Sequence, residues 1–231
     1  AIMTMSTTAF AAENPAEVFD RVMEKNNTIQ SAEIQSGVHS VILAKDVIPD
    51  GQMKVDMAMH AEMDMQDTTD LKYLAQVASS ILGQDSYSQV FYTDGYYYVD
   101  ANGVKLKYPM PLEQIISSVQ TGVNTSNMES SYMKGISLNE VNGKRVLAYE
   151  ANPKKLNKNV KEALGTVMNT LGTDVNLDMN IQEMKGAYVL DDNDYIIYMT
   201  NYIVYNMEVL DQPMTCITLM ETEVQNPGEP V

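Results

Sequence analysis

The stretch from Gln52 to Met65 constrains this chain more than any other. Met53, Val55, Met57, Met59, Ala61, Met63 and Met65 share one parity, and Lys54, Asp56, His60, Glu62 and Asp64 share the other. Successive side chains of an extended backbone point to opposite faces, so the pattern predicts a long strand with one apolar and one wet face. Such a strand belongs in an antiparallel sheet that is covered on one side only.

The same period recurs elsewhere. Val175, Leu177, Met179 and Ile181 alternate with polar residues, and Tyr195 to Leu210 and Met214 to Val224 read as two more long strands. Pro49-Asp50-Gly51, Asp94-Gly95, Asn102-Gly103, Asn142-Gly143 and the run Asp191-Asp192-Asn193-Asp194 supply turns between strands. Pairings closed by such short turns are local and antiparallel.

Four helices are expected. The first spans Asn14 to Gln30, with Asn14 as N-cap, Pro15 in the first turn, Glu17 as capping partner, and Val18, Phe19, Val22, Met23 and Ile29 as its apolar stripe. The second spans Thr69 to Leu82, where Leu71, Leu74, Ala78, Ile81 and Leu82 recur at helical spacing before Gly83. A third starts at Pro111 and carries Leu112, Ile115, Ile116 and Val119 before Gly122. A fourth starts at Asn152-Pro153, with Leu156, Val160, Leu164, Val167 and Leu171 buried, and ends at Gly172. The fold class is therefore α+β and mostly antiparallel β, with about ten strands and about four helices over one face.

One domain is expected over residues 13–224, with a flexible tail over 225–231. Residues 1–12 read AIMTMSTTAFAA and carry no charge. Ala9-Phe10-Ala11 is a small-x-small pattern, so this segment reads as the end of a secretory signal peptide cleaved near Ala11, the alternative being an ordinary strand. The expected location is outside the cytoplasm: extracellular, cell wall or periplasm.

Charge narrows the partners. Lys plus Arg is 15 and Asp plus Glu is 31, a formal net charge of −16. That field repels a phosphate backbone and argues against nucleic acid. The one dense basic stretch, Lys154, Lys155, Lys158 and Lys161, reads as the wet face of the fourth helix. The single cysteine, Cys216, precludes an intrachain disulfide and reads as a small core residue.

Residue types also bear on catalysis. The chain contains no Gly-x-Ser-x-Gly, no phosphate-binding glycine loop and no His-Glu-x-x-His, and it has two histidines and one cysteine. No enzyme and no cofactor are expected. Asp191 to Asp194 lacks the alternating ligand spacing of a calcium loop and reads as a solvated hairpin tip.

Two arrangements could hold a transition metal. A two-residue turn at Pro49-Asp50 would make paired positions sum to 99 and set His39 opposite His60; a glycine-bulge turn would make them sum to 100 and set the two histidines on opposite faces. The first register also sets Ile34, Val38 and Ile42 beside the methionine face. Met57, Met59 and His60 suggest a Cu(I) site, although His60 points away from the thioethers. No metal is assigned.

The chain has 18 methionines, five of them on one face of one strand. Thioethers are flexible and specify packing poorly, which suits either a filled core or a wall that adapts to varied apolar ligands.

The hairpin Val90-Phe91-Tyr92-Thr93-Asp94-Gly95-Tyr96-Tyr97-Tyr98-Val99-Asp100, its continuation Gly103-Val104-Lys105-Leu106-Lys107, and the strand-turn-strand Val141-Asn142-Gly143-Lys144-Arg145-Val146 resemble motifs of the bacterial lipoprotein-carrier superfamily, the LolA/LolB/LppX-like group with its Gram-positive relatives. The order of elements is similar too. The resemblance implies an unclosed β-barrel with helices on its concave face, peripheral association with the cell envelope, and a lipid or acylated protein as partner. The expected binding wall is Met57, Met59, Met63 and Met65, facing Leu74, Ala78 and Ile81.

Overall fold

A computed structural model describes residues 13–44, 48–67, 71–111, 128–158, 179–209 and 212–229. Its helix α1 (Pro15–Asn26) is followed by strands β1 (Ser31–Leu43), β2 (Gln52–Asp64), β3 (Lys72–Ile81), β4 (Gln84–Thr93), β5 (Tyr96–Ala101), β6 (Val104–Pro109), β7 (Met133–Val141), β8 (Lys144–Ala151), β9 (Met179–Leu190), β10 (Ile196–Val209) and β11 (Gln212–Gln225). A second helix, α2, is described over residues 153–158.

The eleven strands form one sheet in the order β6-β5-β4-β3-β2-β1-β11-β10-β9-β8-β7. Every pairing is antiparallel. β6 and β7 are the two ends, so the sheet is unclosed, as expected of a half-barrel. Asp94-Gly95, Asn102-Gly103 and Asn142-Gly143 all take positive φ at both residues, the geometry whose twist matches tight antiparallel hairpins.

α1 begins as its sequence dictates. Asn14 Oδ1 accepts from the Ala16 backbone amide at 3.1 Å, and a proline occupies the first turn. Val18, Phe19 and Val22 are fully buried, each contributing about 1.5–3 kcal/mol of apolar burial. They meet Leu147, Tyr149, Tyr188, Leu190 and Ile196 in a core over the β7–β10 part of the sheet, and Leu156 of α2 joins them. Phe19 sits edge-on to Tyr149 with ring centroids 5.8 Å apart, and Tyr149 stacks on Tyr188 at 5.2 Å.

The segment expected as the second helix is a correction: residues 72–81 are β3, a central strand between β2 and β4. Leu82 and Gly83, expected as helix end and stop, form a hairpin turn with φ of 52° and 76°. The third expected helix lies outside the described residues from Leu112 onward. The fourth starts at Pro153 as expected and is described to Lys158. Two helices rather than four are therefore described, and eleven strands rather than about ten. The proposed export segment, residues 1–12, also lies outside the described residues.

The expected flexible tail is anchored as far as Glu229. The Gly228 amide donates to the Ser31 carbonyl at 2.7 Å, the Ser31 hydroxyl donates to the Glu229 carbonyl, and Gln66 Nε2 donates to the Gly228 carbonyl at 2.9 Å.

Candidate functional site

Register decides which side chains share a face. In the β1–β2 hairpin, paired positions run from Ser31↔Asp64 to Leu43↔Gln52, so Val38 faces Met57, Ile34 faces Ala61 and Ile42 faces Met53. The apolar residues of β1 therefore lie beside the methionines, as hydrophobic patterning requires. Neither expected turn closes the hairpin: Ala44 donates to Gly51 at 3.0 Å, so the connection is longer than either. Both histidine registers are thereby corrected. His39 pairs with Asp56 and His60 with Gln35, four residues further along β2, a separation of about 13 Å.

The methionine face continues across the sheet. Met57 pairs with Ser79, Met59 with Val77, Ala61 with Ala75 and Met63 with Tyr73 on β3. Tyr73 and Ala75 pair in turn with Tyr92 and Val90, these with Tyr97 and Val99, and these with Tyr108 and Leu106 of β6. In the other direction Val38 pairs with Met220 of β11, and Met220 with Asn201 of β10. This is the face that α1 covers at the β7–β10 end.

The face changes character along the sheet. Over β7–β10 it is filled. Near one end of β2–β6, Leu71 and Tyr92 are buried with Met65, Tyr73, Tyr97 and Met110 around them. Between and beyond these clusters no described residue covers it, and its side chains are partly exposed. Met57 and Met59 are each 37% exposed, Ile81 42%, Leu106 57% and Val104 61%.

Small residues form the floor: Ala61, Ala75 and Ser36 are buried. Three pairs of hydroxyls lie on this face. Ser36 and Thr222 oxygens are 2.8 Å apart, Ser40 and Thr218 2.9 Å, and Ser79 and Ser86 2.6 Å. Among the described residues, no buried side-chain nitrogen or oxygen lacks a partner. Each pair satisfies one of its O–H donors internally, which lowers the cost of laying hydrocarbon over the floor.

Five of the seven residues expected in the wall share this trough or its margin: Met57, Met59, Met63 and Ile81 by register, and Met65 in the cluster with Leu71. Leu74 and Ala78 are on the opposite face, where they pair with Glu62 and Ala58 of β2. The physical reason is the strand that replaced the helix: helical spacing puts positions 74, 78 and 81 together, whereas a strand sets 74 and 78 against 81. Sequence reasoning missed Val77, Tyr73 and Leu106, which a period-two reading of 72–81 and 104–109 would have found.

The opposite face mixes charged, amide and aromatic side chains. His39 Nδ1 lies 2.7 Å from Asp56 Oδ1, and His60 Nε2 lies 3.0 Å from Glu62 Oε1. A depression of about 640 Å³ lies on this side, lined by Gln35, His60, Gln76, Glu221 and Glu223 together with Ala58, Ala78, Tyr87 and Tyr198, and Met59 and Ser36 border it. Its lining mixes carboxylates and amides with apolar groups, whereas the wall of the trough is apolar. Leu74 pairs with Phe91, which stacks on Tyr98 at 4.5 Å, and Lys107 lies 4.0 Å over the Tyr96 ring. Among the described residues no group of three or more His, Cys, Asp or Glu is placed to hold a metal ion.

The covered end is fixed to its helix by a polar clamp. Asp194, expected at a solvated hairpin tip, accepts from Arg21 Nε at 2.8 Å and Arg145 Nη2 at 2.6 Å. Burial works against its charge, but the two guanidinium hydrogen bonds outweigh it and hold the carboxyl below its usual range. Asn26 Nδ2 donates to the Asp194 carbonyl at 3.0 Å, and Asn26 Oδ1 accepts from the Ile196 amide at 2.9 Å. The helix is thus held at one end of the trough. Beneath it the Tyr149 hydroxyl donates to buried Asn201, and burial pushes the Tyr149 and Tyr188 hydroxyls up in pKa.

An open antiparallel sheet with one apolar face, covered by a helix at one end and bare of one at the other among the described residues, is the class of protein that this geometry defines. Residues 14–227 match the model of a family of unknown function, DUF6612, and the chain belongs to that family. No curated protein matches it in sequence. Among solved structures it is similar to LprF from Mycobacterium bovis (10% identity, 94% of each chain covered, TM-score 0.38) and to the Mycobacterium tuberculosis lipoprotein LppX (8% identity, 94% of this chain and 96% of that one, TM-score 0.42). A Brucella abortus β-barrel-like protein of the DUF1849 family matches at 11% identity, over 86% of this chain and all of that one, with a TM-score of 0.26. Likenesses at these scores carry no weight for function. No helix among the described residues is long and apolar enough to cross a membrane.

Proposed function

We propose that the protein is a non-catalytic binding protein that holds an acyl-bearing ligand, a lipid or an acylated protein, against the bare apolar trough of β1–β6. The observation that carries this reading is the contrast along one continuous face. Where α1 lies, Phe19 and Leu147 are wholly buried; further along, Met57, Met59 and Ile81 keep more than a third of their surface in water. A contiguous solvent-facing apolar surface is characteristic of a binding site. Each methylene laid into the trough contributes about 0.8 kcal/mol, without covalent chemistry.

Met57, Met59, Met63 and Ile81 form the wall in this reading, with Met65 at its margin. The methionines adapt to the ligand's shape, and the pairing of serines and threonines lowers the cost of covering the floor. Action outside the cytoplasm belongs to the same reading and rests on the Ala9-Phe10-Ala11 pattern. Titration with a fluorescent fatty acid tests it. Saturable binding, competed by unlabelled fatty acid and by lysolipid, is expected. No saturable binding across a series of chain lengths would overturn it.

A further inference from the structure

The open part of the trough holds the two most exposed methionines among the described residues. Met57 and Met59 are each 37% exposed, and every other described methionine is half-buried or buried. The two lie two positions apart on β2, about 7 Å along the strand and on one face. Cys216 is not a competing target: it is 2% exposed, and burial pushes its thiol up in pKa, away from the reactive thiolate.

We propose that Met57 and Met59 are an oxidation site that switches the trough from apolar to polar and releases its ligand; this rests on the binding reading given above. The chemistry needs a peroxide as oxidant. The thioether sulfur lone pair attacks one peroxide oxygen, the O–O bond breaks, and the second oxygen leaves as water after proton transfer. Sulfur is oxidised to the sulfoxide and the peroxide is reduced. The product is a strong hydrogen-bond acceptor in place of a soft apolar group. Its cross-strand neighbours are Val38 and Ser79 for Met57, and Ser36 and Val77 for Met59. The valines offer no donor, and the Ser36 and Ser79 hydroxyls are each paired, with Thr222 and Ser86, so that at most one O–H of each pair is free to meet the new oxygen. The added oxygens are therefore hydrated, and water enters the ground that the hydrocarbon needs.

Graded hydrogen peroxide on the full chain tests this. Peptide mapping by mass spectrometry locates the added oxygens, and fatty-acid-probe affinity is measured on the same samples. Oxidation is expected first at Met57 and Met59, with probe affinity falling about tenfold or more and recovering after treatment with both stereospecific methionine sulfoxide reductases. The double variant Met57→Leu/Met59→Leu, compared with its own untreated affinity, is expected to lose no probe affinity after the same peroxide dose. Two results would overturn the switch and leave the binding reading standing. One is affinity within about twofold of the starting value when both residues are oxidised. The other is first oxidation at other methionines. An untreated chain that binds no probe would remove the binding reading and the switch together.

Discussion

Replacing Met59 by aspartate places a carboxylate in the middle of the trough, beside Ser36 on β1 and Val77 on β3. A ligand lying over that position must cover the charge or force it to take up a proton. Protonation sets the ceiling: raising an aspartate from about 3.9 to neutrality is about three pKa units, or about 4 kcal/mol. Met59 is 37% exposed, so the new carboxylate keeps part of its water and the ligand can shift aside. Roughly half the ceiling, about 2 kcal/mol, is expected, which is about a 30-fold loss of affinity. Ala58→Asp is the control. Ala58 is the next residue along the strand, is exposed and faces the other way, so it pays the same strand-propensity cost without touching the trough. Titrating a fluorescent fatty acid into both variants, with thermal unfolding run alongside, reads the difference. Below about pH 4 the new aspartate takes up its proton and part of the loss is recovered. If Met59→Asp folds and binds as tightly as Ala58→Asp, the trough is not where the ligand lies.

Other outcomes follow from the covered end and the turns. Gly186→Ala would drive a Cβ into the Thr200 carbonyl and to 2.7 Å from Asn201 Oδ1, so a loss of about 1–3 kcal/mol of stability is expected by denaturant unfolding. Phe19→Ala should cost about 3–5 kcal/mol in the same assay, because Phe19 is wholly buried between Tyr149 and Tyr188. Asp194 has a depressed folded pKa, so its clamp on Arg21 and Arg145 contributes stability above the unfolded value near pH 4 and loses it as pH falls through the folded value; Asp194→Asn should flatten that acid limb of the stability curve. Leu82 takes a φ of 52° while 67% exposed, so Leu82→Gly should raise stability by about 1 kcal/mol, seen as a higher thermal midpoint.

How far the sequence could be read depended on whether one face was wet. β2 carries charge on its outer face, so its period of two could not be mistaken and its bounds came out within a residue. β3 has no such contrast: Leu74 and Ala78 lie on the outer face, and Tyr73, Ala75 and Val77 on the inner one. Apolar residues on both faces of a central strand satisfy a helical template as readily as a strand template. What settles β3 is hydrogen bonding to β2 and β4, which no local pattern contains. Leu82-Gly83 compounded the error, since glycine after leucine suits a helix end and a tight hairpin alike. The β1–β2 connection failed differently. The faces were legible from Ile34, Val38 and Ile42, but the register depended on loop length, and each expected turn was too short. The Asp194 clamp left no local signal, because Arg21 and Arg145 reach it from far along the chain.

Native mass spectrometry of the full chain, exchanged from a lipid extract and then stripped with organic solvent, tests the central claim most directly. The account predicts an adduct whose extracted mass is an acyl-bearing molecule, held by the parent and by Ala58→Asp but lost from Met59→Asp. A bare mass for the parent under the same conditions, or an adduct that Met59→Asp retains in full, would contradict it.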